Sequence, residues 1–348
     1  MGGLTSDSVV HAPMKQIRLH GANDWRLDDL AVPEPGPRDA LVRIAACGIC
    51  GTDLSYIHMG MTPGHPIPLG HEMAGTVDWV GDEVHAFAAG DRVIVCPSDL
   101  GTGTMGTGGS EGGLTPFLYV PEAASGRRLF RVPDEMPLTT AALAEPLAVG
   151  MQAVNQSEAR PGETVAVFGC GPIGLMAIAT LADRGVTDVV AIDFSAARRD
   201  LASEMGAAQV LDPAEVDVWA ELQRSHGTAP FMFGPTTATD VFIEASGADA
   251  VLGDVLRNGR VGGRMVVVAL HYRPVPTNYV DLLMKEFTIR GSMEYPERFE
   301  DAVELLTRRD LSSLITHTLP LEDFGAGLAL LEGSKDCGKV MMTMEEDR

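Results

Sequence analysis

The glycine-rich segment Gly169-Cys170-Gly171-Pro172-Ile173-Gly174 constrains the fold of this chain more than any other feature. It follows an apolar run at 164–168 and opens a helical pattern at 173–184. A second apolar run ends at Asp193, 19 residues after the last glycine of the segment. A strand, a glycine turn, a helix and an acidic residue that closes the next strand are typical of a dinucleotide-binding βαβ unit. Strand and helix patterns alternate onward to about residue 290, which predicts a doubly wound parallel sheet.

Each glycine of this fingerprint has a separate physical role. Gly169 permits the tight turn, Gly171 lets the backbone approach a pyrophosphate, and Gly174 allows the helix to pack closely on the strand. The helix N-terminus supplies amide groups and a positive dipole for the phosphates. The candidate dinucleotide contacts of the fingerprint are Gly169, Gly171, Pro172, Ile173 and Gly174, with Cys170 as a filler.

Asp193 indicates which dinucleotide is bound. Its carboxylate would accept hydrogen bonds from the adenosine ribose hydroxyls and would repel a 2′-phosphate, so NAD is predicted over NADP. Arg198 and Arg199 keep NADP open as an alternative, although they also fit an ordinary helix face, and Arg198 is kept as a candidate cofactor contact. Because ligands bind beyond the carboxyl ends of parallel strands, Ala245 and the pair Ala269-Leu270 are predicted to contact the cofactor as well.

Length and composition limit the remaining possibilities. A chain of 348 residues exceeds one ordinary domain, and a hydrophobic content of 45% supplies two sizeable cores. No apolar run approaches the roughly 20 residues of a membrane span, and a net charge of −22 disfavours nucleic acid and membrane as partners. Five cysteines without an even framework of spacings, and no secretion signal, predict a cytoplasmic location.

The pattern before residue 160 is different from the one that follows it. Short β-rich segments bounded by glycine or proline occur at 40–46, 75–80 and 92–96. Such segments are typical of an irregular antiparallel barrel. Beyond residue 295 the sequence predicts a helix, a short strand at 314–319, another helix and a closing strand at 339–342.

Potential metal ligands of three chemical kinds occur before the fingerprint. They are the thiol of Cys50, the imidazole of His71, and the carboxylates of Glu72 and Glu145. Three mixed protein ligands that leave one position open are how a catalytic zinc ion is bound. Iron or cobalt could use the same ligands, but thiolate with imidazole suits zinc, which brings no redox activity of its own.

These motifs resemble those of the zinc-dependent alcohol dehydrogenases of the medium-chain dehydrogenase/reductase family. The stretch from Gly70 to Val84 agrees with the zinc signature of that family. The pair Glu145-Pro146 is similar to a Glu-Pro pair that occurs in its polyol and threonine dehydrogenase-like branch. The resemblance extends from about residue 15 to about residue 345. It implies an α/β protein with a GroES-like irregular β-barrel catalytic domain at 14–155 and 295–348. A Rossmann NAD-binding domain at 156–294 would be inserted into it. The residues before the resemblance, 1–13, are predicted from their own sequence to be a disordered leader.

The resemblance also implies the ligand set. Cys50 and His71 would bind the metal, and the third ligand would be either Glu72 or Glu145, a choice that the sequence leaves open. The side chains of adjacent residues seldom converge on one point, but a sharp turn at Gly70 would permit it.

A proton relay is implied beside the ligands. Thr52 occupies the position of the relay hydroxyl in the family. In many relatives the relay ends on a histidine five residues after the ligand cysteine, and that position is Ser55 here. His58 is the candidate replacement, with a surface histidine as the equally good alternative. The predicted catalytic residues are Thr52, Ser55 and His58.

One catalytic zinc ion and no structural zinc are predicted. The structural-zinc lobe of the family carries four close cysteines, whereas only Cys96 occurs in the corresponding segment, and residues 98–113 are rich in Gly, Ser and Thr. Cys47 and Cys50 form a C-x-x-C pair. A redox pair and half of a four-cysteine zinc site are the alternatives for it, and neither has its usual sequence context.

The implied function is hydride transfer between NAD and a secondary alcohol, of polyol or sugar-like type, giving the ketone or aldehyde. One alternative is a zinc-free enone or quinone reductase of the same fold. Another is a non-catalytic binding or structural protein on this scaffold. The intact ligand set and fingerprint favour the zinc enzyme. Members of the family form dimers or tetramers, so a homodimer or homotetramer with a small-molecule alcohol or carbonyl substrate is expected.

Overall fold

The computed structural model describes residues 13–99, 103–333 and 336–344. Residues 1–12 of the predicted leader and the last four residues of the predicted catalytic domain lie outside the described residues. The chain divides into two compact units. The first comprises Met1–Ala142, Thr318–Leu328 and Met341–Arg348, and the second comprises Leu143–His317 and Ala329–Val340. The predicted domain boundaries near 155 and 294 stay predictions.

The chain up to residue 142 forms mostly short strands, as its Gly- and Pro-bounded segments predict. Its strands and helices are β1 (Met14–Gly21), β2 (Asp24–Leu30), β3 (Ala40–Ile49), α1 (Gly51–Met59), β4 (Ile67–Pro68), β5 (Glu72–Val80), β6 (Arg92–Val95), β7 (Ser98–Asp99), β8 (Gly103–Thr104), β9 (Phe117–Val120), β10 (Leu129–Arg131) and α2 (Leu138–Ala141).

The remainder of the chain alternates helices and strands. Its elements are α3 (Ala144–Ser157), β11 (Thr164–Phe168), α4 (Pro172–Asp183), β12 (Asp188–Ile192), α5 (Ala196–Met205), β13 (Gln209–Leu211), α6 (Val218–His226), β14 (Thr228–Ala229), β15 (Thr236–Thr237), β16 (Val241–Glu244), α7 (Asp249–Asn258), β17 (Arg264–Val267), α8 (Tyr279–Met284), β18 (Thr288–Gly291), α9 (Glu300–Arg308), β19 (Ile315–Pro320), α10 (Phe324–Gly333) and β20 (Lys339–Thr343). None of the helices in the described ranges is long and apolar enough to cross a bilayer.

Antiparallel pairing organises the first unit. A three-stranded sheet has the order β2-β1-β4, and a larger sheet has the order β10-β6-β5-β3-β20-β19 with β9 also paired to β3. Within the described residues these pairings run between end strands and do not close into a ring, so the expected barrel is present as open sheets. One end strand, β10, has only three residues and offers little edge for closure. The central ladder of β3 and β5 sets Gly48 opposite Glu72.

A six-stranded sheet in the order β13-β12-β11-β16-β17-β18 forms the centre of the second unit. All neighbours in it are parallel, and in chain order the strands run 3-2-1-4-5-6, the arrangement of a doubly wound dinucleotide-binding fold. Its core includes Phe168, Phe242 and Phe287, all buried. Ser195 caps α5 through its hydroxyl, and Gly206 ends that helix at φ +115°, which are the usual roles of serine and glycine at helix ends.

Candidate active site

The thiol of Cys50 is held at the start of a helix. Strand β3 ends at Ile49, Cys50 keeps an extended backbone, and α1 begins at the next residue. The Asp53 carboxylate accepts a hydrogen bond of 2.9 Å from the Cys50 backbone N–H and is fully buried. This short-range hydrogen bond between Asp53 and Cys50 therefore fixes the backbone from which the thiol projects.

His71 and Glu72 follow a sharp turn at Gly70, which has φ +87°. A Cβ atom at Gly70 would lie 2.6 Å from Leu114 and 2.8 Å from the Cys47 sulfur, so only glycine fits there. Glu72 begins β5 and is fully buried, with its carboxylate lying directly against Gly48 of β3.

Cys50, His71 and Glu72 come together, since one potential ligand atom from each lies within 4.8 Å of the other two. This is the only such group of three or more ligand-type residues that the described ranges contain. A thiolate, an imidazole and a carboxylate in this arrangement fit a zinc ion that keeps one coordination position open.

Further hydrogen bonds surround His71. Its Nδ1 lies 3.2 Å from Thr107 Oγ1 and 3.6 Å from Asp53 Oδ1. The Thr107 hydroxyl donates to the same Asp53 oxygen, and the backbone N–H of Gly70 donates to it over 3.3 Å. Asp53 thus connects the segments that carry all three clustered ligands, as an orienting group behind metal ligands does.

The predicted relay residues occupy different surroundings. Thr52 is half-buried, and its Oγ1 lies 3.6 Å from the Cys50 sulfur. The Ser55 hydroxyl donates to the Gly51 carbonyl over 3.0 Å, within the helix. His58 is exposed in the last turn of α1, about 12 Å along the helix axis from Cys50 at 1.5 Å per residue. Thr52 therefore lies beside one of the clustered side chains, and the relay roles of Thr52, Ser55 and His58 stay predictions.

Glu145 belongs to the second unit and is not a member of the three-residue cluster of the described chain. It lies in the first turn of α3 with only 5% of its surface exposed, and the Tyr295 hydroxyl donates a 2.8 Å hydrogen bond to its carboxylate. Burial excludes an ordinary surface carboxylate. Its role as an alternative metal ligand stays a prediction.

The glycine fingerprint has the close approaches that its sequence predicts. Gly169 has φ +93°, and a Cβ there would lie 2.7 Å from the backbone of Ser246. A Cβ on Gly174 would overlap the Gly169 carbonyl oxygen. Gly171 immediately precedes α4, and no described atom lies within 4 Å of where its Cβ would be. Pro172 and Ile173 form the first turn, so the helix N-terminus is open for a phosphate.

Asp193 lies just after β12 and links the fingerprint to the next helix. Its two carboxylate oxygens accept hydrogen bonds from the backbone N–H groups of Cys170, at 2.7 Å, and Ser195, at 2.8 Å. A carboxylate offers about four lone-pair positions, so ribose hydroxyls could still bind. Arg198 donates through Nε to the Cys337 carbonyl over 3.0 Å, and Arg199 forms a 2.8 Å ion pair with Asp212. A cofactor contact of Arg198 stays a prediction.

Sequence reasoning missed an apolar pocket of about 260 Å³ beside Asp193. Its walls include Phe194, Pro213, Trp219 and Val251, and Phe194 is 64% exposed. An apolar pocket beside Asp193, the predicted ribose contact, has the chemical character that the adenine end of a dinucleotide requires. The one feature of the sequence that could have indicated this pocket is Phe194, a large apolar residue directly after Asp193.

The carboxyl ends of β16 and β17 carry a charged cluster that the sequence did not predict. Buried Glu244 accepts hydrogen bonds from the backbone N–H groups of Ser246 and Gly247, both at 2.8 Å. Its other oxygen pairs with His271 Nε2 at 2.9 Å, and His271 Nδ1 pairs with Asp249 at 3.0 Å. The predicted contacts Ala245, Ala269 and Leu270 flank this cluster, which fixes the loops on which they lie.

The five cysteines are all unbridged. Cys47 is buried within β3 whereas Cys50 starts a helix, so the two do not form a disulfide. Burial raises the pKa of the Cys170 thiol to about 12, which suits a filler role in the fingerprint. Cys96 is buried and its sulfur lies 3.3 Å from the Ser98 carbonyl. The absence of a structural zinc stays a prediction.

Comparisons with known proteins agree with both parts of this description. Residues 36–134 match the family of the alcohol dehydrogenase GroES-like domain, and residues 172–308 match the zinc-binding dehydrogenases. The (R,R)-butanediol dehydrogenase of Bacillus subtilis strain 168 is 31% identical over 92% of this chain and 98% of the relative. The sorbitol dehydrogenase of Homo sapiens is 30% identical over 87% of this chain and 88% of the relative.

Solved structures give the same result. The crystal structure of 2R,3R-butanediol dehydrogenase from Bacillus subtilis has a TM-score of 0.85 and 30% identity, and the match covers 95% of this chain and 99% of that one. A protein assigned as a zinc-binding dehydrogenase from Sinorhizobium meliloti 1021, bound to NADP, has a TM-score of 0.83 and 28% identity over 96% of this chain and 100% of that one. The predicted fold class, with GroES-like and Rossmann parts, and the predicted enzyme class are confirmed. The chain belongs to the zinc-dependent alcohol dehydrogenases of the medium-chain dehydrogenase/reductase family.

Proposed function

We propose that this chain oxidises a secondary alcohol of diol or polyol type, with NAD⁺ as hydride acceptor and one zinc ion held by Cys50, His71 and Glu72. The convergence of these three side chains within 4.8 Å carries the proposal. The alcohol carbon gives a hydride to the nicotinamide of NAD⁺, and the alcohol hydroxyl gives up a proton. The products are a carbonyl compound, NADH and H⁺.

Zinc in such a site supplies Lewis acidity, which makes a hydroxyl group beside it more acidic. The residues of the chain then have to receive the proton and guide it out. Thr52 is the candidate for this role, because its hydroxyl is half-buried and lies 3.6 Å from the Cys50 sulfur. Ser55 and His58, on the same helix, are the candidates for the groups that receive the proton next.

Glu72 is the proposed third ligand in preference to Glu145. Its carboxylate is clustered with Cys50 and His71, and the ladder partner Gly48 leaves the space that this carboxylate fills. Glu145 already accepts a hydrogen bond from Tyr295.

NAD is the proposed cofactor because a carboxylate directly after the second strand of the fingerprint, here Asp193, would repel an adenosine 2′-phosphate. The substrate class rests on two relatives that are named for butanediol and for sorbitol, both of which carry secondary hydroxyl groups. A small alcohol or carbonyl compound is therefore the expected partner. The acidic net charge of −22 disfavours nucleic acid.

A homo-oligomer is also proposed, with a dimer or a tetramer as the possible states. Strand β18 is at the end of its sheet, and its Ile289 is 39% exposed. Helix α8 precedes it and exposes 72% of both Tyr279 and Leu283. Exposed apolar side chains on an edge strand and on the helix before it favour pairing with a second copy. Light scattering of the purified protein measures the oligomeric state.

A cytoplasmic location is proposed because all five cysteines are unbridged.

The test combines metal analysis with a substrate screen. The purified protein is passed through gel filtration, its zinc is measured, and NADH formation is followed with primary alcohols, secondary alcohols, diols, polyols and sugars. We expect about one zinc per catalytic site and turnover of at least one secondary alcohol that chelation abolishes. Less than about half an equivalent of zinc, with activity that survives chelation, would indicate a zinc-free reductase.

Substitution of Cys50 tests the ligand assignment. Cys50→Ser should remove zinc and activity while leaving NADH affinity almost unchanged, because Cys50 lies outside the fingerprint. Cys96→Ser is the matched control, since that sulfur lies against a backbone carbonyl that a serine can also reach. A Cys50→Ser protein with full zinc and activity would exclude the ligand. A zinc-loaded, NADH-binding wild type without turnover of any alcohol would indicate a binding protein.

A further inference from the structure

The segment 103–114, here called the glycine loop, supplies none of the three clustered ligands, yet it packs on the backbone that carries two of them. The Gly113 N–H donates to the Gly70 carbonyl over 2.9 Å, and the Leu114 N–H donates to the Leu69 carbonyl over 3.2 Å. The sequence alone indicates only that this segment takes the place of the structural-zinc lobe of the family, which carries four close cysteines. Its attachment directly before His71 indicates a role at the metal site.

The glycine loop approaches the ligands more closely than side-chain-bearing residues allow. Gly106 has φ +78°, and a Cβ on it would lie 2.5 Å from both the Gly70 carbonyl oxygen and His71 Cβ. Gly108 has φ +99°, and a Cβ there would lie 2.7 Å from the Tyr56 hydroxyl. Thr107 lies between these two glycines, so their close contacts fix where its hydroxyl stands.

The hydrogen bonds of Thr107 indicate the tautomer of the neutral His71 ring. A hydroxyl has one hydrogen to donate, and an ionised carboxylate can only accept. Asp53 also accepts from the backbone N–H groups of Cys50 and Gly70, at 2.9 and 3.3 Å, so both of its oxygens act as acceptors. The Thr107 hydrogen therefore goes to Asp53, and its lone pair faces His71 Nδ1 at 3.2 Å.

An acceptor at Nδ1 requires that this nitrogen carry the proton, which leaves the lone pair of the imidazole on Nε2. The direct separation of His71 Nδ1 and Asp53 Oδ1 is 3.6 Å, longer than a hydrogen bond. The Thr107 hydroxyl is therefore the group that joins the two.

We propose that Thr107 is a positioning residue that holds His71 in the tautomer and orientation for metal binding, and that the glycine loop exists to place it. This inference rests on the proposed zinc site. Loss of a hydrogen-bond partner behind a metal ligand typically weakens metal binding about 10–100-fold. The same loss is expected when the Thr107 hydroxyl is removed.

Two pairs of variants separate the hydroxyl from the volume of the side chain. Thr107→Val and Thr107→Ala remove the hydroxyl, and Thr107→Ser keeps it. Thr104→Val is the matched control, since Thr104 belongs to the same loop but exposes its side chain. Zinc affinity of each full-length apo-protein is measured by competition with a chromophoric chelator. The visible spectrum of each Co²⁺-substituted protein reports the ligand geometry, and thermal unfolding of the apo-proteins reports folding.

We expect zinc affinity about 10–100-fold weaker in Thr107→Val and Thr107→Ala, with shifted Co²⁺ bands. Thr107→Ser and Thr104→Val should match the wild type, and NADH affinity should stay unchanged in all four. Wild-type zinc affinity and Co²⁺ bands in both hydroxyl-free variants would overturn the inference while leaving the zinc site intact. A wild type that binds no zinc would instead overturn the proposed function, and this inference with it.

Discussion

Gly48→Ala tests whether Glu72 is the third metal ligand. Gly48 of β3 stands opposite Glu72 of β5. A Cβ added to Gly48 would overlap the Glu72 carboxylate and would lie 3.0 Å from its Cδ and 3.2 Å from its Cβ. Glu72 is fully buried and the neighbouring strand backbone is fixed by the ladder, so the carboxylate itself has to move. The change thus displaces a ligand without altering its chemistry.

The cost in stability should not exceed the cost in metal affinity. Gly48 is not among the glycines with positive φ, so alanine fits the backbone and gains about 0.4–1 kcal/mol from the unfolded state. Overpacking costs about 1–3 kcal/mol. The apo-protein should therefore lose about 0–2.6 kcal/mol. Zinc affinity should fall at least about 100-fold, which is the largest effect usually seen when a hydrogen-bond partner of a metal ligand is lost, and which corresponds to about 2.7 kcal/mol.

The assay is chelator competition for zinc, with thermal unfolding of each apo-protein as the measure of folding. Gly21→Ala is the matched control, because Gly21 is also a strand glycine of the first unit and has no described atom within 4 Å of its Cβ position. Glu145→Gln is measured beside it. Wild-type zinc affinity in Gly48→Ala, together with weak binding in Glu145→Gln, would refute the reasoning and assign the third ligand to Glu145.

Three further predictions concern charged side chains. Asp193→Asn removes a charged acceptor and should weaken NADH binding about tenfold or more while raising NADPH binding relative to it; fluorescence titration with both nucleotides checks this, and an unchanged ratio contradicts it. Hydrogen bonds with Asp249 and Glu244 raise the pKa of His271 above 6.5, so its ion pairs stabilise the fold below that pH and are lost as pH rises through the raised pKa. Urea unfolding of His271→Gln should therefore differ from wild type more at about pH 6 than at about pH 9. Burial raises the pKa of Glu111 from 4.5 to about 7, so stability falls as pH rises through that window. Glu111→Gln should raise the Tm at about pH 8 and leave it unchanged at about pH 4.

Features that depend on short-range patterns could be predicted from the sequence. The strand Thr164–Phe168 has its predicted bounds, and the strand Asp188–Ile192 ends directly before Asp193, where the second apolar run was predicted to end. The helix cap at Ser195 and the stop at Gly206 follow from local hydrogen bonding and from φ +115°. These signals need only a few neighbouring residues to be evaluated.

Contacts between distant segments could not be predicted in the same way. Trp219 reaches the pocket beside Asp193 because α6 packs over the parallel sheet, and nothing near Trp219 in the sequence marks that contact. The expected barrel is present as open sheets because strand pairing depends on lengths and registers that no single segment determines. Thr107 and His71 meet across 36 residues, so a Gly-rich composition predicted only a loop there.

The proposed choice of Glu72 over Glu145 depends on how two adjacent side chains can converge on one point. Two neighbouring side chains normally point apart, which is why Glu72 beside His71 looked an uncertain ligand. Two glycines remove the difficulty: Gly70, with φ +87°, turns the chain before His71, and Gly48 across the ladder leaves room for the carboxylate. The proposed ligand set therefore depends on residues that themselves bind no metal. We expect alanine at Gly48 or Gly70 to weaken zinc binding as strongly as serine at Cys50, although neither glycine can donate an electron pair from a side chain.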